Sequence, residues 1–115
     1  MSRAIPRRGE VWTVNFNPGR GSEQRGIRPA LVIQNDIGNR YASTTIVAGI
    51  TSTIKAYPVT VTLGKGEAGL KKASMVNLAQ ILTLDISRLM SKVGALRPET
   101  IERVDEAIRI SLDVG

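Results

Sequence analysis

A chain of 115 residues is enough for one domain with one core and too short for two. It contains no cysteine and no histidine, which removes disulfides, thiolate metal sites, the commonest metal ligand and the commonest general base. The net charge of +6 is unevenly placed: residues 1–97 carry fourteen basic and five acidic side chains and residues 98–115 carry two and five, so a +9 body bears a −3 tail.

The arm from Met1 to Arg8 is basic and is expected to be loose. Met1 to Glu10 lacks the apolar stretch of a signal peptide, and no run approaches the roughly 20 apolar residues of a membrane span, so the expected location is the cytosol, with no membrane contact. From Glu10 to Phe16, Trp12, Val14 and Phe16 alternate with Val11, Thr13 and Asn15, the period of a strand, and Trp12 is expected in the core. Asn17 to Asp36 (N-P-G-R-G-S-E-Q-R-G-I-R-P-A-L-V-I-Q-N-D) begins as a loop and ends as a strand. Pro18, Gly19, Gly21 and Gly26 break regular structure around Arg20, Ser22, Glu23, Gln24, Arg25 and Arg28, a dense set of donors and charges. Pro29 forces Arg28 into an extended conformation, and Ala30 to Ile33 is the apolar run of a strand buried on both faces. A polar loop hinged on a rigid strand is a common way to hold functional side chains in place.

Asn35 to Ser43 is turn-rich, and Thr44 to Ile50 is a β-branched third strand, expected to pair with the second and to end at Thr51, Ser52 and Thr53, with Lys55 just beyond. Thr60 to Leu63 makes a fourth strand, and the Gly- and Lys-rich segment from Gly64 to Lys72 is expected to be a mobile, solvated loop. Ser74 to Leu82 reads as a strand with Gln80 among apolar neighbours; a buried amide needs partners, so Gln80 either satisfies backbone groups or faces a site. Asp85 is placed to cap a short helix over Ile86 to Met90, and Lys92 to Leu96 makes one more strand. The clearest helix begins at Pro98, with Glu99 and Glu102 near its positive end and an apolar stripe of Ile101, Val104, Ile108 and Leu112 expected to dock on the sheet. The result is a single α+β domain over residues 1–115, mostly β, a small barrel of about six short, mostly antiparallel strands with a C-terminal helix packed on the sheet.

The acidic residues are scattered with no paired spacing that suggests a Mg²⁺ cage, so neither a metal nor a cofactor is expected. A basic body suits a polyanion such as nucleic acid, and equally a plain solvated surface. With only Trp12, Phe16, Tyr41 and Tyr57 as aromatics, recognition of bases must rest on Arg planes, amides and backbone groups more than on stacking.

The run R-G-E-V-W, then F-N-P-G-R-G-S-E-Q-R-G-I-R-P-A-L-V-I-Q-N-D, T-T-I-V-A-G-I-T-S and the late L-A-Q-I resembles the MazF/PemK family of toxin endoribonucleases, from about Arg8 to Leu112. The G-S-E-Q-x-G-x-R-P core is specific because it sets Gly, Ser, Glu, Arg and Pro at fixed spacings, where any one alone would mean little. The resemblance implies a homodimer of SH3-like barrels that cuts single-stranded RNA at a short sequence, independently of the ribosome and without metal. The RNA's own 2′-hydroxyl is then the nucleophile, leaving 2′,3′-cyclic phosphate and 5′-hydroxyl ends. Such chemistry suits a chain without imidazole, since the protein need only align the nucleophile, stabilise the phosphorane and protonate the leaving oxygen.

By the same resemblance the catalytic Arg is Arg28 in I-R-P and the catalytic Thr is Thr51 in G-I-T-S, with Ser22, Glu23 and Gln24 beside them on the RNA-contacting loop and Gln80 near the groove. A guanidinium fork can hold two phosphate oxygens, and a threonine hydroxyl can donate to the same group. Arginine holds its proton far above neutral pH and is a poor proton acceptor, so Arg28 reads as an electrostatic stabiliser that also supplies the leaving-group proton. Glu23 is the alternative base, or else a carboxylate that orients Arg28 or Arg25. Arg20 and Arg25 would add phosphate contacts or are surface variation, and the loop after Thr51, with Thr53, Lys55 and Tyr57, would help choose the bases. The family also implies a cognate MazE-like antitoxin whose acidic, disordered tail covers the RNA groove, with DNA contacted only through that complex. Two other readings share the small-barrel architecture: a non-hydrolytic gyrase poison, whose resemblance involves a terminal aromatic absent from Leu112-Asp113-Val114-Gly115, and a plain nucleic-acid-binding module.

Overall fold

A computed structural model describes residues 5–17 and 26–115. Six strands, β1 (Glu10–Asn15), β2 (Ile27–Val32), β3 (Thr44–Thr51), β4 (Thr60–Leu63), β5 (Ser74–Asp85) and β6 (Leu89–Ala95), form one sheet in the order β4-β5-β3-β2-β1-β6. Every pairing is antiparallel. Two helices complete the fold, α1 (Asp36–Tyr41) and α2 (Pro98–Leu112). The six antiparallel strands and the terminal helix bear out the expected architecture, but the sheet is not closed: β4 and β6 are its two edges and do not pair. A 3-10 turn, Glu67–Gly69, lies against β6 instead, so close that a Cβ added at Gly94 would fall on the Ala68 carbonyl. Covering an edge with a turn serves the same purpose as closure, since it shields the edge from a foreign strand.

Strand alternation builds a core on each face. Val11 of β1 and Leu31 of β2 point to the face covered by α2, where Val104 and Ala107 meet them. Val14 and Phe16 join Ala30, Val32 and Val47 on the other face, closed by Ile86 and Leu89, with Trp12 half-buried at its edge.

Several local expectations are corrected. The arm is not loose as far as Arg8: that guanidinium donates to the Ile33 carbonyl (Nε, 2.8 Å) and pairs with Asp105 of α2 (2.8 Å), and the Arg8 amide donates to Asp36 Oδ1 (2.7 Å). The turn-rich segment contains helix α1, because Asn35 caps it by accepting from the Gly38 amide at 2.8 Å. Within α1, fully buried Asn39 accepts from Thr45 Oγ1 (2.6 Å) and Gln34 Nε2 (3.1 Å). Asp85 does cap the next turn by accepting from the Ser87 amide, but that turn spans only Ile86–Arg88, and β6 begins at Leu89 rather than Lys92. The face that α2 buries is centred on Thr100, Val104 and Ala107, continued by Ser111, whose hydroxyl donates to the Leu78 carbonyl at 2.6 Å. Ile101 and Ile108 only flank this face, and Leu112 is 56 % exposed.

The segment from Gly64 to Lys72 is likewise not a solvated loop. Leu70 enters the α2-side core, and the Glu67 side chain is 5 % exposed, accepting from the Arg97 backbone amide (3.1 Å) and guanidinium (2.9 Å). A core anchor and a carboxylate bound at the start of α2 together hold the segment against the body of the sheet.

Candidate active site

The β2–β3 register sets Ala30 opposite Gly49, Leu31 opposite Ala48 and Val32 opposite Val47. Arg28 stands two residues before Ala30 on β2, and Thr51 two residues after Gly49 at the end of β3. The ladder stops at Ala30, next to Pro29, which has no N–H to give. Beyond that point lies a cleft of about 260 Å³ lined by Arg28, Pro29, Ile50, Thr51, Ser52, Leu70, Lys71, Lys72 and Ser74. The two residues singled out as catalytic thus meet in one cavity, although 23 positions separate them in the chain.

Their settings differ. Arg28 is exposed at the mouth of the cleft, where β1 and Pro29 hold its backbone extended. Thr51 is half-buried, and its Oγ1 accepts from the Thr53 amide at 3.1 Å. That contact is a strand-end cap, and it occupies a lone pair while leaving the hydroxyl hydrogen to be donated. Ser52 and Ser74 add hydroxyls, and Lys71 and Lys72 add two cations, so among the described residues the lining contains three positive side chains and no carboxylate. Sequence reasoning missed Lys71 and Lys72 by assigning them to a mobile loop. The signal that could have found them is Leu70, an apolar residue set between charged neighbours, which marks a loop tied to the core.

The other predicted residues are more dispersed. Thr53 and Lys55 are exposed and stand outside the cleft lining, the Lys55 amide lying 3.4 Å from Met75 Sδ, and Tyr57 is 46 % exposed. Gln80 sits where β5 breaks register, between the Ala48–Ile81 and Gly49–Asn77 pairs. Gln80 is half-buried, and its side chain makes no hydrogen bond among the described residues. Arg20, Ser22, Glu23, Gln24 and Arg25 lie outside the described residues.

The two ends of their loop are fixed. The Phe16 amide donates to the Gly26 carbonyl (2.9 Å), the Gly26 amide donates to Asn17 Oδ1 (3.0 Å), and Gly26 itself takes a φ of +73° that suits glycine. Arg88 Nη1 donates to the carbonyls of Asn15 (3.2 Å) and Asn17. The loop therefore leaves from a clamped base and returns two residues before Arg28.

Two carboxylates of the scaffold ionise more readily than usual. Burial pushes Glu67 up, but hydrogen bonds from Arg97 and Thr100 and the Arg97 charge outweigh it, and the net direction is down from 4.5. Glu10 follows the same pattern, burial being overcome by Lys92, the Trp12 indole N–H and the Arg7 amide. Among the described residues no group of three or more His, Cys, Asp or Glu side chains could hold a metal ion. A larger cleft, about 500 Å³, is lined by Ile5, Pro6, Arg7, Asp36 and Arg40, and it contains none of the predicted site residues.

Comparison with known proteins decides the family. Residues 7–112 match the model of the PemK-like, MazF-like toxins of type II toxin–antitoxin systems. The chain belongs to this toxin family. Endoribonuclease EndoA of Bacillus subtilis (strain 168) is 46 % identical over 110 residues, covering 94 % of this chain and 95 % of that protein. The crystal structure of MazF from Deinococcus radiodurans superposes with a TM-score of 0.80 at 30 % identity, covering 96 % of this chain and 98 % of the other. A MazE–MazF structure from the same organism gives 0.78 at 27 % identity, covering 97 % and 99 %. Like these MazF-like toxins, the chain is a mostly β domain with one terminal helix, and no helix among its described residues is long and apolar enough to cross a membrane.

Proposed function

We propose that this chain is an endoribonuclease toxin that cuts single-stranded RNA in the cleft between Arg28 and Thr51. The observation that carries the reading is their convergence in a cavity whose described lining carries Arg28, Lys71 and Lys72, a cationic setting suited to a phosphate. The 46 % identity to an endoribonuclease over nearly the whole chain supports the same activity.

In this reading the 2′-hydroxyl attacks the adjacent phosphorus, a P–O bond forms to the 2′-oxygen, and the bond to the 5′-oxygen of the next nucleotide breaks. The products are a 2′,3′-cyclic phosphate and a 5′-hydroxyl. Arg28 offers two parallel donors to the non-bridging oxygens, whose charge grows in the phosphorane, and supplies the proton to the leaving oxygen. Thr51 donates its hydroxyl hydrogen to the same group and helps hold the phosphate in line. Glu23 is the one carboxylate in the sequence between β1 and β2, and it takes the 2′-proton, or it orients an arginine while solvent water accepts that proton. Ser22, Gln24, Arg20 and Arg25 reach the RNA from that loop, with Thr53, Lys55 and Gln80 contacting it on either side of the cleft. No metal or cofactor enters the reaction.

The toxin acts in the cytosol as a homodimer and is restrained by a MazE-like antitoxin with an acidic, disordered tail. The +9 body attracts that tail for the reason it attracts RNA, so the two compete, and DNA is met only through the antitoxin complex.

The decisive test incubates purified protein with a long unstructured RNA in excess EDTA and maps the cut ends, alongside a substrate with one 2′-deoxy sugar at the cut. Cleavage at a short recurrent sequence, abolished by the single deoxy sugar, is expected. Cleavage that survives the deoxy substitution would rule out the 2′-hydroxyl as nucleophile.

A further inference from the structure

We infer that Lys71 and Lys72 form a second phosphate-binding wall of the cleft, holding a backbone phosphate next to the scissile one and so setting how tightly RNA binds. The inference rests on the proposed RNA cleavage at Arg28 and Thr51 and adds to it a site that the catalytic pattern does not contain.

Geometry places the two lysines. Both line the same cavity as Arg28 and Thr51, but they come from the segment between β4 and β5, so the cleft is cationic on two separate elements. A chain of phosphates threading it would meet positive charge on both sides. A lone phosphate at Arg28 would need only one.

The segment is built to present them. Leu70 is anchored in the core immediately before Lys71, and the buried Ser74 hydroxyl donates to the Lys72 carbonyl at 2.9 Å immediately after. Upstream, Glu67 is held by Arg97, which fixes the turn against the start of α2. Glu67 is the nearest acidic residue in the chain and is thereby committed away from the lysines. Among the described residues neither lysine side chain makes an ion pair or hydrogen bond, and both residues are exposed. Among the described residues these two cations on a fixed backbone serve no contact of the fold, while in the cleft they can displace condensed counterions from RNA. Each phosphate neutralised on a single strand contributes about −0.7 to the slope of log K against log salt.

The test compares wild type with Lys71→Ala/Lys72→Ala, the charge-preserving Lys71→Arg/Lys72→Arg, and Lys65→Ala as a control from the same segment. Cleavage kinetics of a short substrate would be paired with binding of its 2′-deoxy analogue across a salt series. In the double-alanine variant KM is expected to rise about tenfold or more, with kcat falling much less, and the salt slope to become shallower by about 0.7. The arginine pair should restore both, and Lys65→Ala should change neither. An unaltered slope and KM, with wild type still cleaving, would overturn the inference and leave the proposed function intact; so would a loss confined to kcat, which would make the lysines part of the chemistry. Failure of wild type to bind or cut RNA would remove the proposed function and this inference with it.

Discussion

Arg28 and Thr51 reach the cleft for different reasons, and their substitutions should separate accordingly. Arg28 is carried by a strand whose direction is set by Pro29, and under the proposed mechanism its value lies in a planar pair of donors. Arg28→Ala should lower kcat by about 10²–10³-fold, the scale of losing one preorganised transition-state donor, and Arg28→Lys should recover little because a point charge cannot reproduce the fork. Thr51→Ser keeps the hydroxyl that caps the Thr53 amide and should retain most activity, whereas Thr51→Ala loses both the cap and the donor. Single-turnover kinetics would settle the point; full activity in Arg28→Lys would contradict a bidentate role. Both were singled out in the sequence, Arg28 from I-R-P and Thr51 from G-I-T-S, and the fold brings them to one cleft. Lys71 and Lys72 were not, since their placement depends on a carboxylate–guanidinium contact across 30 positions and on one leucine reaching the core.

Among the elements, the loop between β1 and β2 depends on a residue from a distant turn. Arg88 follows the Asp85 cap and reaches across to two carbonyls at the base of that loop. Its cap was readable in the sequence; its reach was not, because nothing local relates residue 88 to residues 15 and 17. Arg88→Ala should cost about 1–2 kcal/mol of stability, as expected for a charge-assisted bond to backbone. It should also lower kcat/KM by about tenfold at temperatures where the variant is fully folded, with partial recovery in Arg88→Lys. A loss of melting temperature with unchanged kcat/KM would show that the clamp serves the fold alone. Other elements show the same division between local and distant information. The strands followed from alternation and β-branching, while α1 was hidden because Gly38 and Asn39 look like a turn until the Asn35 cap and the buried bonds of Asn39 are seen. The buried face of α2 was displaced because Thr100 and Ser111, polar by composition, are the residues that meet the sheet.

Across the whole molecule basic side chains outnumber acidic ones, and two of the carboxylates, Glu10 and Glu67, secure the β6 edge of the sheet. Glu10 joins β1 to Lys92 of β6, and Glu67 joins the turn that covers β6 to the start of α2. Each has its pKa lowered on folding, because its hydrogen bonds and its cationic partner together outweigh burial. The sign follows from linkage: a carboxyl with a depressed folded-state pKa contributes stability that is fully present above its unfolded value, near 4.5, and is lost as pH falls through the lower folded value. Protonation also leaves Lys92 without its ion pair and Arg97 with only the exposed Glu99, 3.9 Å away, in a chain that already carries +6. The melting temperature should therefore hold steady from neutral pH down to about 5 and then fall. Glu67→Gln should start lower at neutral pH, because Arg97 loses its partner, and should descend less steeply below pH 4.5, because one titrating group is gone. Glu10→Gln should behave alike, and the double variant should be flatter than either, since the two sites share no partner. Thermal melts of the four proteins from pH 3 to pH 7 would test this, and curves that run parallel throughout would mean that neither carboxylate governs acid stability. If they diverge as expected, the salt and pH responses of this toxin have separate origins: RNA binding follows the cations of the cleft, and the fold follows the two acids that secure its β6 edge.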